Sequence, residues 1–387
     1  MEGSPTRNIR DLAWFERTLD ASISILYLDD ERLIAGDWDG GIHCWDLEGE
    51  SLWHVQANNR VANFARGANL LFAVCGRDLV CVDIESGELQ WDYELEGSSD
   101  LVTCTPDGEI ILATSSVFDL EMNDFIESTL WRFNAAGELL RSDSIDERPW
   151  AMEMRNDGVA FLPLSRPRCG MIRAGEDGLH HTPLPTDSPA TCGFTGQQHM
   201  IVGHADGTLT GIDDGMVMDD DLYTNQPGSI ESISATEPGF LVAVAIDSGS
   251  VGSGFGGSEG LARAYDENGK LLWQVETAIG RNIEHVIFGP AIEESTSAWI
   301  TSWDNRESNL DVYSVLDGES IFRISRESRI NTIVGNSEYI GIGFDDGSLY
   351  LLQGDLLERR LGSETTSEDD EHRSTLAEKL RHLRSKK

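Results

Sequence analysis

Residues 36–40 read Gly36-Asp37-Trp38-Asp39-Gly40, and the Gly-x-x-Asp-Gly pattern returns as Gly203-His204-Ala205-Asp206-Gly207 and Gly343-Phe344-Asp345-Asp346-Gly347. A short apolar run precedes each copy (Leu33-Ile34-Ala35, Met200-Ile201-Val202, Tyr339-Ile340-Gly341-Ile342), and another follows. Apolar run, Asp-Gly turn, apolar run is a β-hairpin signature, because the turn needs a positive φ that glycine adopts cheaply. Gly36 and Gly203 stand four steps of roughly 42 residues apart, and one step is the length of a propeller blade.

A second element follows the hairpin. Asp46-Leu47-Glu48-Gly49-Glu50-Ser51-Leu52-Trp53 is matched by Asp266-Glu267-Asn268-Gly269-Lys270-Leu271-Leu272-Trp273. Looser copies run from Asp83 to Trp91, Asn134 to Leu140 and Asp317 to Phe322. Strand three ends at the Asp, a Gly turn reverses the chain, and strand four opens with a large side chain able to pack between adjacent blades. Together the two elements resemble the pyrroloquinoline-quinone-like repeat, a relative of the WD-repeat propellers, over about residues 18–361. The resemblance implies an all-β chain folded as one β-propeller. It leaves the function open, because such propellers include scaffolds, assembly factors and dehydrogenases.

Innermost strands are expected to start near Ser22, Arg60, Leu101, Pro149, Pro189, Ser229, Glu284 and Arg329, which gives eight four-stranded blades. Seven blades follow instead if the irregular stretch Arg155 to Pro185 is an excursion. Two blades carry inserts between their second and third strands, Ser115 to Ser128 and Ile246 to Gly260. Residues 1–17 form an N-terminal segment in which Leu12 to Thr18 can supply a ring-closing outer strand. Residues 362–387 read as an acidic linker poor in apolar residues, then a short basic amphipathic helix. Thr375 and Glu378 make its capping box, and Leu376, Leu380 and Leu383 share one face.

The formal net charge is −39, from 29 basic and 68 acidic side chains, and only Lys270, Lys379, Lys386 and Lys387 are lysine. This acidic, lysine-poor balance resembles the haloarchaeal, salt-adapted pattern and keeps a protein soluble and monomeric in concentrated salt. It argues against nucleic-acid binding by the propeller body, which rests on neutralising phosphates with cations. Cys44, Cys75, Cys81, Cys104, Cys169 and Cys192 form no C-x-x-C pair and read as reduced, buried small hydrophobes. The N-terminus lacks the apolar core of a signal peptide, and no stretch approaches 18 apolar residues, so a cytoplasmic location and no membrane partner are expected.

Chemistry-bearing motifs are sparse. Gly252, Gly254 and Gly257 satisfy G-x-G-x-x-G, but within a Gly/Ser-rich insert that opens no helix. The catalytic quinoproteins that the resemblance brings in carry calcium and an adjacent cysteine pair, and neither feature matches a position here. Asp39, Asp206 and Asp346 read as turn residues bonding their own backbone rather than as metal ligands. His43, His285, His204, His180 and His181 show no metal spacing. The sequence therefore points to no catalytic residue, no metal and no cofactor.

One pattern stands out. Arg60, Arg148, Arg281 and Arg329 recur where the chain enters an innermost strand, on the face that carries the inserts. Arginine suits bidentate carboxylate recognition, whereas the plainer alternative is pairing with nearby Glu147, Glu284 and Glu327. The expectation is a non-catalytic platform for an unidentified protein, using Arg60, Arg148, Trp150, Arg281, Asn282, Arg329 and Phe255. An enzyme or small-ligand binder using the central channel is the alternative.

Overall fold

A computed structural model describes residues 5–362 except 122–123, 146, 166–167, 196–199, 214–215, 218–225, 237–238, 248–257 and 279. These residues form eight sheets that follow one another as blades, each an antiparallel meander from an innermost to an outermost strand. The innermost strands are Ile23–Leu28, Val61–Gly67, Ser98–Cys104, Glu153–Met154, Ala190–Thr195, Ser229–Thr236, Asn282–Ile292 and Ile330–Gly335. The expectation of eight blades holds. Arg155 to Pro185 is no excursion but most of blade 4, whose innermost strand has only two residues.

The Asp-x-x-Gly turns join strands three and four. Asp46 Oδ1 accepts the Glu50 amide at 2.7 Å, and Asp266 Oδ1 accepts those of Asn268 and Lys270 at 2.9 Å. The tryptophan that follows reaches into the next blade. Trp53 Nε1 donates to the Ile84 carbonyl at 2.8 Å, Trp91 to that of Ala135 and Trp273 to that of Val315, both at 2.9 Å. Gly87 of blade 2 has a φ of 71°, and a Cβ there would lie 2.8 Å from the Trp53 ring. Glycine is thus required both by the turn and by the indole packed over it. Around this contact Ile34, Ile42 and Trp53 of blade 1 pack on Val80, Val82 and Ile84 of blade 2, so the core lies between blades.

Ring closure reuses the same latch. The N-terminal strand Phe15–Thr18 pairs antiparallel with Ser348–Gln353 as the outermost strand of blade 8. Trp14 Nε1 donates to the Leu47 carbonyl of blade 1 at 2.7 Å, matching the Trp53–Ile84 bond. The segment Thr6–Arg7 adds a fifth, parallel strand to blade 7. Between these strands lies the short helix α1, Ile9–Leu12.

Residues 354–361 carry no strand. They belong to helix α2, Gly354–Gly362, which buries Leu357 and whose Arg360 Nη1 donates to the Ala13 carbonyl at 2.7 Å. This is the short C-terminal helix described; residues 363–387, with the linker and basic helix expected there, lie outside the described residues. No helix among the described residues is long and apolar enough to cross a membrane.

Candidate binding face

The meander places every lead-in to an innermost strand beside the turn between strands two and three, on one face. Backbone bonds mark the lead-in position: the Ser22 carbonyl accepts the Trp38 amide, Arg60 that of Gly76, Arg148 that of Ser165, Pro189 that of Ala205 and Arg329 that of Asp345. Arg60, Arg148 and Arg329 therefore occupy equivalent sites. Arg281 does not, because Asn282 pairs with Trp303 and takes that site in blade 7.

One step further in, seven of the innermost strands slip register by a bulge. Bulges re-aim a side chain, and here the bulged residues reach the next blade. Ser24 Oγ donates to the Val61 carbonyl at 2.7 Å, Thr191 Oγ1 to that of Ile230 at 2.6 Å, and Asn331 Nδ2 to that of Ile23 at 3.0 Å. In blades 3 and 7 the bulged residue is an acid, and it takes the next blade's lead-in arginine instead. Arg148 meets Asp100 at 2.6 Å, and Arg329 meets Glu284 at 2.5 Å.

The four arginines consequently do not form a ring of free cations. Arg281 pairs with Asp304 at 2.7 Å and lies 3.6 Å from Glu307, at the next turn of its own blade. The amides of Glu307 and Arg306, then the Arg281 charge, hold the Asp304 carboxyl below its usual pKa. Of the acids named as the plainer partners, Glu284 serves Arg329, while Glu147 accepts the Arg168 amide at 2.6 Å. Arg60 has no carboxylate within ion-pair distance among the described residues. Its guanidinium lies over the Trp38 ring, 4.2 Å from the centroid. Arg60, Asn282 and Arg329 do converge, lining with Trp38, Glu231 and Glu284 a cavity of about 570 Å³ at the mouth of the central channel.

A second feature stands on the same face at blades 3 and 4. The insert expected at 115–128 is largely an extension of the hairpin: Ile110–Asp119 pairs with Asp124–Asn134 out to its tip. It presents Phe118 and, 88% exposed, Leu120. Phe118 packs edge-on against Phe125, and the Arg148 guanidinium is sandwiched 4.1 Å from Phe125 and 4.7 Å from Trp150. Trp150, a sequence candidate, is nearly half exposed here. Phe255 and the glycines at 252, 254 and 257 lie outside the described residues. Sequence reasoning missed Phe118, Leu120, Trp38 and Glu231, although an apolar pair at a hairpin tip was a signal for the first two.

Several described thiols and histidines are buried, hydrogen-bonded or stacked. Burial pushes the thiols of Cys44, Cys75, Cys81, Cys104 and Cys192 up to about 12. Burial lowers His204, which bonds the Ser188 carbonyl and the Thr210 hydroxyl, and burial with the Arg329 charge brings His285 down to about 4. His43 stacks on His54 at 4.2 Å. The turn acids behave as expected at Asp206 and Asp346, which accept the amides of Thr208 and Ser348. In blade 1 that role falls to Asp37, which accepts the amides of Asp39 and Gly41, rather than to Asp39. No group of three or more His, Cys, Asp or Glu among the described residues could hold a metal.

No protein-family model matches the chain, and no curated protein matches it. Solved structures do. A computationally designed protein, Ika8, superposes with a TM-score of 0.64 at 15% identity, covering 91% of this chain and all of its own. BamB from Moraxella catarrhalis gives 0.63 at 12% identity, covering 88% and 96%. Sqt1 from Saccharomyces cerevisiae gives 0.64 at 10% identity, covering 91% and 99%. At such identities the likeness is one of fold, and the chain is an eight-bladed β-propeller.

Proposed function

We propose that this chain is a non-catalytic platform that binds another protein through the face bearing the blade 3 and blade 6 inserts. The observation that carries the reading is the blade 3 hairpin, which lifts Phe118 and Leu120 beyond the blade beside Trp150. Exposed aromatic and aliphatic anchors around a stacked arginine are the residue types that dominate protein interfaces. Protonated thiols and histidines absorbed in hydrogen bonds and ring stacks also suit a scaffold better than an active centre. The reading extends to a monomeric propeller of the pyrroloquinoline-quinone-like repeat type in the cytoplasm of a salt-adapted, archaeal cell, on the strength of the repeat and of the −39 charge.

Site-specific photo-crosslinking tests it. A photoreactive amino acid at Leu120 should trap a partner protein in native extract at native salt. The same group at Leu140, an exposed leucine on the outer edge of blade 3, should trap little. Equal trapping at both positions, or trapping at Leu140 alone, would contradict the assignment of the face.

A further inference from the structure

The cavity at the channel mouth holds two charges that the bulge-and-lead-in pairing leaves over. Blade 1 carries Ser24 at its bulge, so the lead-in Arg60 of blade 2 finds no acid there. Blade 6 carries Glu231 at its bulge, but the lead-in of blade 7 is Asn282 and Arg281 has turned away to Asp304. Among the described residues Glu231 makes no ion pair or hydrogen bond, and the Arg60 guanidinium has the Trp38 ring as its partner. Blades 2 and 6 stand four apart in a ring of eight, so these opposite charges line the one cavity from opposite sides of the ring. Between them on the wall lies the Arg329–Glu284 pair, already neutralised. Partial burial lowers the Arg60 pKa, with only the more distant Asp100 acting against it.

We infer that this cavity is a binding site for a zwitterionic group, a carboxylate seated on Arg60 beside Trp38 and an ammonium seated on Glu231. The Arg60 fork suits a carboxylate and the single Glu231 carboxylate suits an ammonium. A cavity of 570 Å³ is about 10 Å across, the span of three extended residues, so a ligand of that length reaches both walls. The same chemistry is offered by a free small zwitterion and by a protein segment carrying lysine and glutamate. The site is separate from the blade 3 hairpin and stands or falls without it.

Titration calorimetry, at the lowest ionic strength at which the propeller still shows its cooperative melting transition, tests the inference with four probes. Triglycine carries both charges, acetyl-triglycine only the carboxylate, triglycine amide only the ammonium, and acetyl-Lys-Gly-Glu-amide both charges on side chains. One of the doubly charged probes should bind about tenfold or more tighter than either singly charged one. Triglycine as the tighter of the two would identify a free zwitterion, and the capped peptide a protein segment. Arg60→Gln should erase the advantage conferred by the carboxylate and Glu231→Gln that conferred by the ammonium, each without changing the melting temperature, since both side chains are exposed. Equal binding of all four probes, absence of binding at millimolar concentration, or unchanged selectivity in both variants would overturn the inference.

Discussion

Arg329 closes on Glu284 at 2.5 Å across the boundary between blades 8 and 7, repeating the 2.6 Å contact of Arg148 with Asp100 between blades 4 and 3. In both pairs the acid is the more sheltered partner: the Glu284 side chain is 11% exposed and that of Arg329 is 51%. The two halves should therefore respond unequally to mutation. Arg329→Ala strands a sheltered carboxylate and should cost about 1–3 kcal/mol of stability. Glu284→Gln leaves a guanidinium that water can reach and should cost under about 1 kcal/mol. Denaturant titrations of the two variants check this, and the reverse order would show that the pair is not held together as described.

The Trp latch makes a second prediction, at the boundaries between blades. Trp53→Phe keeps most of the packing but loses the bond to the Ile84 carbonyl, at a cost of about 1 kcal/mol. Gly87→Ala should cost more, because it strains a φ of 71° and drives a methyl into the same indole. Deleting residues 1–18 removes the Trp14 latch and the outermost strand of blade 8 together. Its melting midpoint should fall by more than that of either point variant. A deletion that melts like the full chain would mean that the ring closes without its N-terminal strand.

Architecture was legible because the repeat writes its structural chemistry into the local sequence. Gly87, Gly137 and Gly318 sit in the turns, and Trp53, Trp91 and Trp273 are the latches packed against them. Blade 4 was ambiguous because Glu153–Met154 is too short to show alternation. The site was harder to read. Arg148 and Asp100 are 48 residues apart, and only the ring brings them together. Arg281 looked equivalent to Arg60 because a single-residue offset, which sends its side chain to Asp304, is invisible without the strand register. That Glu231 lacks an arginine partner among the described residues depends on what stands at position 282 of the next blade.

Acid should weaken the fold through His285. Burial and the Arg329 charge hold its pKa at about 4, against about 6.5 for an unfolded histidine. Between those values the unfolded chain binds the extra proton, so stability falls as pH drops from about 6.5 toward 4, by at most about 3 kcal/mol. His285→Gln should flatten this part of the curve relative to the unaltered protein. Parallel curves for the two proteins would remove His285 as the cause.

Salt should act in the opposite sense. A net charge of −39 repels itself, and moderate ionic strength screens that repulsion beyond about 8–10 Å. The thermal midpoint is expected to climb from low salt to molar KCl. A flat or falling midpoint would remove the case for salt adaptation.

The assignment of the insert-bearing face is tested most directly by affinity. Once crosslinking at Leu120 has identified a partner, its dissociation constant should be measured with the purified propeller and with the triple variant Phe118→Ser, Leu120→Ser, Trp150→Ser. All three side chains are exposed or partly exposed, so the variant should keep the parent's melting temperature within a few degrees. Its affinity should fall by about a hundredfold or more, the loss of at least one strong anchor. Undiminished affinity in a variant that still folds would contradict the account and move the interaction to another part of the ring.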